Sequence, residues 1–208
     1  MSYEKILLTA FEPFDATGTN SSLEVLHCLA LPWLKTAVLP VSYRRAAEEL
    51  TRLIERERPD FIVCLGQAGG ERSVRLEKVA INYTRAAVAD NDGVLLRSGA
   101  VLPGGPDAIF TKVPIEALVD RLSATQAVKL SLSAGSYVCN STYYTALSRN
   151  DGQALFVSTL AHADVCLNTA STMSLDAALL DLELAGLIRR TTAGVQAIGL
   201  PMGQAAGP

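Results

Sequence analysis

The feature that most constrains this chain is a set of short, uniformly apolar runs separated by segments of helical period. Residues 5–9, 61–66 and 154–160 carry almost no alternation between apolar and polar positions. A strand of that kind is buried on both faces, which is the condition of a parallel sheet covered by helices. Further strands are expected over 36–41 and 129–133, and an extended stretch over 75–83. The intervening segments read as helices: 23–31 behind the N-cap sequence Asn20-Ser21-Ser22, 43–58 with Ala46, Leu50, Leu53 and Ile54 on one face, 114–122, 140–149, and a long one over 173–190. Residues 86–106 are polar and glycine-rich and read as irregular. Strands alternating with helices imply an α/β fold, a three-layer α/β/α sandwich around a mostly parallel twisted sheet. One domain over 1–190 is expected, followed by a Gly/Ala-rich tail over 191–208.

Charge removes several function classes. The net charge is −3, from 18 basic and 21 acidic residues, so nothing favours a polyanion and no nucleic acid is expected as partner. Arg44, Arg45, Arg52, Arg56 and Arg58 alternate with glutamates, the pattern of a solvated helix face. No apolar run reaches the ~20 residues of a membrane helix, and the start of the chain lacks a signal-peptide pattern. Cys28, Cys64, Cys139 and Cys166 form no Cys-x-x-Cys pair; no disulfide framework, no metal and no cofactor are expected.

Open α/β sheets bind ligands beyond the carboxyl ends of their strands. Three loops qualify, at 11–16, 67–70 and 135–140. The last places Cys139 where a strand-like run turns into a helix, and first-turn N–H groups there favour a thiolate. Cys139 reads either as a nucleophile or as a small core residue. Glu77 lies among apolar residues, and can orient another group or pair with Arg75 or Lys78 at the surface. Phe11 and Phe14 flank a proline and either wall a small apolar pocket or fold back on the core. Gln67-Ala68-Gly69-Gly70 reads as a backbone cradle or as a plain turn; it has no phosphate-loop pattern.

Six motifs in order carry a resemblance: Phe11-Glu12-Pro13-Phe14, Gly66-Gln67-Ala68-Gly69-Gly70, Glu77-Lys78-Val79-Ala80-Ile81-Asn82, Asp90-Asn91-Asp92-Gly93, Ser133-Ala134-Gly135-Ser136-Tyr137-Val138-Cys139-Asn140 and Met173-Ser174-Leu175-Asp176. Together they resemble the pyrrolidone-carboxylate peptidases (pyroglutamyl peptidase type I), cysteine peptidases of α/β/α fold that remove an N-terminal pyroglutamyl residue from peptides. The resemblance implies Cys139 as nucleophile and Glu77 as the acidic member of a Cys-His-Glu triad. It implies Phe11, Phe14 and Val138 as the pocket for the pyrrolidone ring, and Gln67 as hydrogen-bonding partner of the ring amide. It also implies a cytoplasmic homo-oligomer, dimer or tetramer, with N-terminal pyroglutamyl peptides as substrates.

The chain departs from the family pattern at the histidine, whose position in the strand over 154–160 is taken by Ser158. A hydroxyl cannot accept the thiol proton near pH 7. His162, 23 residues after Cys139, is the candidate replacement; His27 lies in a helix away from every motif. Ala10, Asp15, Ala16, Ala87 and Ala89 also differ from the family, and the lost glycines point to altered pocket geometry. The expectation is a thiol hydrolase acting on pyroglutamyl peptides at reduced rate. The alternatives are a catalytically impaired homologue that binds a pyroglutamate-like ligand, or a hydrolase of altered substrate class.

Overall fold

The uniformly apolar runs pair in parallel at the centre of the molecule, where burial on both faces removes most of their apolar surface from water. A computed structural model describes residues 5–14, 18–28, 34–71, 73–124 and 127–160. In chain order the elements are β1 (Ile6–Phe11), α1 (Ser21–Cys28), β2 (Leu34–Leu39), α2 (Tyr43–Glu57), β3 (Phe61–Ala68), β4 (Val74–Glu77), β5 (Val79–Ile81), β6 (Ala108–Phe110), α3 (Ile115–Leu122), β7 (Val128–Ser131), α4 (Val138–Arg149) and β8 (Ala154–Leu160). The main sheet has the order β2-β1-β3-β8-β4-β7, and β5 and β6 pair separately.

The first four strands of that order are mutually parallel, with Gly66 of β3 opposite Ser158 of β8. β4 runs antiparallel to β8, placing Arg75 opposite Ser158 and Glu77 opposite Phe156; β7 is parallel to β4. Two cores flank the sheet. One packs Val25 and Leu26 of α1 and Ile115, Leu118 and Leu122 of α3 against Ile6, Leu8, Val63, Leu65 and Val157. The other packs α2 and α4, including Leu50, Tyr143, Tyr144 and Leu147, against Leu7, Ile62, Cys64 and Phe156. The architecture is the expected three-layer sandwich with a mostly parallel sheet, mixed at the β4-β7 edge.

Local differences have physical causes. The expected helix 43–58 ends at Glu57 because Arg58 takes the left-handed conformation, donating its N–H to the Ile54 carbonyl as a C-cap. On its outer face the arginines pair with Glu48, Glu49 and Glu57, but Arg45 instead reaches Asp92 in the irregular segment. Strand β3 runs two residues past the expected end, so Gln67 lies on the strand rather than in a loop. The stretch 75–83 breaks at Lys78 into β4 and β5, which serve different sheets, and β6 was hidden by its three-residue length. The final helix expected over 173–190, the Met173 motif, Cys166 and the tail over 191–208 lie outside the described residues. Among the described residues no helix is long and apolar enough to cross a membrane.

Gly66 lets α4 approach the sheet. A Cβ on it would stand 2.5 Å from the Phe156 ring and 3.0 Å from Cys139 Sγ, and the fully buried Phe156 ring has little room to retreat in a close-packed core. Gly66→Ala is therefore expected to lower stability by about 1–3 kcal/mol. A urea-denaturation midpoint equal to wild type would contradict this.

Candidate functional site

Cys139 is the second residue of α4, which starts after a turn made by Gly135 at φ +79°. The helix start has no side-chain N-cap. It is held instead by Asn140, whose buried amide bridges to β5: Oδ1 accepts from Ile81 N–H at 3.0 Å, and Nδ2 donates to the Ile81 and Tyr83 carbonyls at 2.8 and 3.1 Å. One turn on, Tyr143 donates its hydroxyl to the Glu77 carbonyl at 2.8 Å. These bonds fix the helix start against the strands that carry Glu77. Asn140 belongs to a quoted motif, but its role as a strand partner was not legible, because it depends on a neighbour 59 residues away.

Glu77 is fully buried. The reading as an exposed ion-pair partner fails on that burial, although Arg75 does reach it: Arg75 Nε stands 3.5 Å from Oε1, an ion pair without a hydrogen bond. Lys78 pairs with Glu116 instead. Ser158, also buried, donates its hydroxyl to Glu77 Oε1 at 2.7 Å. Glu77 Oε2 has no hydrogen-bond partner among the described residues. The geometry thus brings Cys139, Glu77 and Ser158 to one face of the sheet around Gly66. His27 is exposed in the last turn of α1, on the opposite sheet face. His162 lies outside the described residues.

The described surroundings of the thiol oppose its activation. Burial first, then the Glu77 carboxylate and Cys64, push the Cys139 thiol up to about 12, against a smaller lowering by its own backbone N–H. The helix terminus, the one influence visible in the sequence, is not the largest one. Desolvation and a like charge oppose it, and outweigh one first-turn N–H.

Beside the thiol lies a pocket of about 60 Å³ lined by Phe11, Phe14, Asn20, Val41, Gln67, Tyr137, Val138 and Cys139. Phe11 and Val138 are buried, whereas Phe14 is 38% exposed at the rim. Gln67 Oε1 accepts from the backbone N–H of Ser21 at 2.9 Å. That donor fixes the amide orientation, and the NH₂, with no hydrogen-bond partner among the described residues, is left to serve an acceptor. The chemistry offered is a small apolar slot, an amide donor and a thiol on one wall.

The aromatic wall is clasped from three sides. Asn20 caps α1 through Ser22 N–H and donates Nδ2 to the Glu12 carbonyl at 2.9 Å. The Glu12 carboxylate accepts from Val41 N–H at 3.1 Å and Asn91 Nδ2 at 2.8 Å, and Asn91 also donates to the Pro13 carbonyl at 3.0 Å. Asp90 accepts from Tyr43 N–H, and Ser42, the α2 N-cap, donates to Asp92, whose carboxyl the Arg45 guanidinium and Ser42 hold down to about 2. The irregular segment is a brace for the pocket. Val41, Asn20 and Tyr137 also line the pocket; Tyr137 sits in the Cys139 motif but its ring was given no role there, and Val41 and Asn20 come from a loop and a helix start outside the site motifs. Among the described residues no group of three or more His, Cys, Asp and Glu side chains is placed to hold a metal.

A family model described as pyroglutamyl peptidase matches residues 4–176. A pyrrolidone-carboxylate peptidase from Thermococcus onnurineus is 39% identical over 148 residues, 69% of this chain and 74% of the relative. One from Erwinia tasmaniensis is 34% identical over 193 residues, 88% and 91% of the two chains. Among solved structures, pyrrolidone carboxyl peptidase from Fervidobacterium islandicum AW-1 superposes with TM-score 0.80 at 31% identity, covering 86% of this chain and 98% of that one. Pyroglutamyl peptidase I from Bacillus amyloliquefaciens gives 0.78 at 28% identity, covering 86% and 94%.

The charge environment makes a measurable statement about the thiol. Peptide-resolved alkylation of Cys139 by iodoacetamide should accelerate continuously through pH 10 without levelling. Glu77→Gln removes a negative neighbour, lowers the thiol pKa and should shift the rise to lower pH. A plateau below pH 8 in the unmodified protein would show that the thiolate is already formed.

Proposed function

The chain belongs to the pyroglutamyl peptidase family, and we propose that it cleaves N-terminal pyroglutamyl peptides slowly, through Cys139. The observation that supports this is the thiol's place on the wall of the same small pocket as Phe11, Phe14, Gln67 and Val138. A five-membered lactam offers flat apolar faces to the two phenylalanines and Val138, and a ring carbonyl to the free NH₂ of Gln67. Sγ attacks the acyl carbon, the C–N bond breaks, the peptide amine leaves with a proton, and water hydrolyses the thioester.

The slow step follows from the protons. Ser158 spends its hydroxyl hydrogen on Glu77 and is no base near pH 7. The thiol must lose its proton against burial and the Glu77 charge. His162 is the proposed acceptor. A second reading, a homologue that binds a pyroglutamate-like ligand with catalysis lost, is favoured by these same two observations. A cytoplasmic setting and a homo-oligomer, dimer or tetramer, form part of the proposal; light scattering on the purified chain reads the latter.

A fluorogenic pyroglutamyl-coumarin amide separates the readings. Turnover is expected with the unmodified chain and loss to background with Cys139→Ala; equal background signals for both would sink the peptidase and leave the binder. Ser158→His should raise kcat about 100-fold or more by supplying a base beside Glu77, and an unchanged kcat would argue against the strand alignment. His162→Ala should slow the unmodified chain, and full retention of rate excludes it as acceptor. Gln67→Leu should raise KM about 5- to 100-fold, the cost of leaving a lactam carbonyl without its donor; an unchanged KM would remove Gln67 from recognition.

A further inference from the structure

Beside the lactam pocket lies a second concavity of about 440 Å³, lined by Arg85, Ala86, Ala87, Arg97 and Ser136. The two are joined along the chain, since Ser136 of this concavity directly precedes the Tyr137-Val138-Cys139 run that lines the first. The two arginines are mounted on a braced framework. Arg85 is tied to Ser136 by a reciprocal pair, its N–H donating to the Ser136 carbonyl and the Ser136 hydroxyl donating to the Arg85 carbonyl, both at 2.9 Å. Opposite it, Ala86 N–H donates to the Leu96 carbonyl at 2.8 Å and Thr84 bridges to Gly99, which holds Arg97 across from Arg85. Both arginines are exposed.

Many surface cations stand in ion pairs, among them Arg45 with Asp92, Lys78 with Glu116 and Lys129 with Glu71, while Lys35, Arg58 and Arg149 make none among the described residues. Among the described residues Arg85 and Arg97 make none. Two guanidinium groups lining one concavity, with no ion-pair partner among the described residues, offer paired N–H donors to a carboxylate. With the pyroglutamyl ring in the lactam pocket and the scissile carbonyl at Cys139, the chain beyond the scissile bond is the only part of such a substrate left to meet a neighbouring concavity.

We propose that the Arg85–Arg97 concavity receives a carboxylate on the leaving side of the substrate, so that the chain prefers pyroglutamyl peptides bearing a negative charge immediately after the pyroglutamyl residue. The carboxylate is either an acidic side chain or the C-terminus of a dipeptide. This rests on the lactam-pocket reading above.

The test is calorimetric binding to the full chain carrying Cys139→Ala, so that no ligand is consumed. The probes are pyroglutamyl-alanine, with only a terminal carboxylate, pyroglutamyl-aspartic α-amide, with only a side-chain carboxylate, and pyroglutamyl-alaninamide, with neither. At low salt at least one charged probe should bind about fivefold tighter than the neutral one, and which of them does so identifies the source of the carboxylate. The ratio should fall toward one at about 1 M NaCl and in the Arg85→Gln/Arg97→Gln double variant. Equal affinity for the three probes, or a ratio that survives the double substitution, overturns the proposal while leaving the lactam pocket standing. Absence of binding by all three overturns the pocket and this proposal with it.

Discussion

The buried amide of Asn140 sets where α4 begins, and most of the site depends on it. The amide pairs with the backbone of Ile81 and Tyr83 as a short strand would. A side chain can stand in for a strand because each backbone N–H and C=O must be satisfied once buried, whatever the partner. Tyr143 adds a second tie one turn later. Gly66 supplies the space on the other side, where a methyl group would meet Phe156 and Cys139. The thiol is therefore located by contacts from three separate segments, none of them close to it in the chain.

The same packing sets a conflict between position and reactivity. Bringing Cys139 under α4 and over β3 and β8 leaves it only partly exposed, on the wall of a narrow pocket, and this partial burial disfavours the thiolate. Glu77 adds a negative charge on the same face. An acidic group beside a thiol raises the thiol's pKa unless a cation or a proton acceptor stands between them, and here the position opposite Gly66 carries Ser158, which is bound to Glu77. Arg75 offsets part of the Glu77 charge, while its other end is engaged by Glu71, which also holds Lys129. The pocket for recognition is complete without any of these groups. In the proposed mechanism binding and proton transfer are thus separable, and Ser158 bears on the second alone.

The pocket wall shows how a segment without regular structure becomes structural. Residues 86–106 form no long element, yet Asp90 and Asn91 reach three others: the α2 start, the Glu12 carboxylate and the Pro13 carbonyl. Short polar side chains suit this, since they bond to backbone groups locally at small entropic cost. Phe14, part exposed at the rim, is aimed by these bonds rather than by core packing.

Much of the architecture was legible in the chain itself. Uniform burial of 61–66 and 154–160 dictated central parallel strands, and the spacing of Ala46, Leu50, Leu53 and Ile54 dictated the buried face of α2, because both signals arise from local period. The motifs likewise marked Cys139, Glu77, Phe11, Phe14, Gln67 and Val138. What the sequence could not decide was everything set by contacts distant along the chain. That Gln67 turns its oxygen to Ser21, that Glu77 is wholly buried and bound to Ser158, that Asn140 closes a strand edge, and that burial overrides the helix terminus at Cys139 all depend on which segments meet. Hydrogen-bond partners and local dielectric are properties of the assembled fold, so only the tertiary structure could assign them.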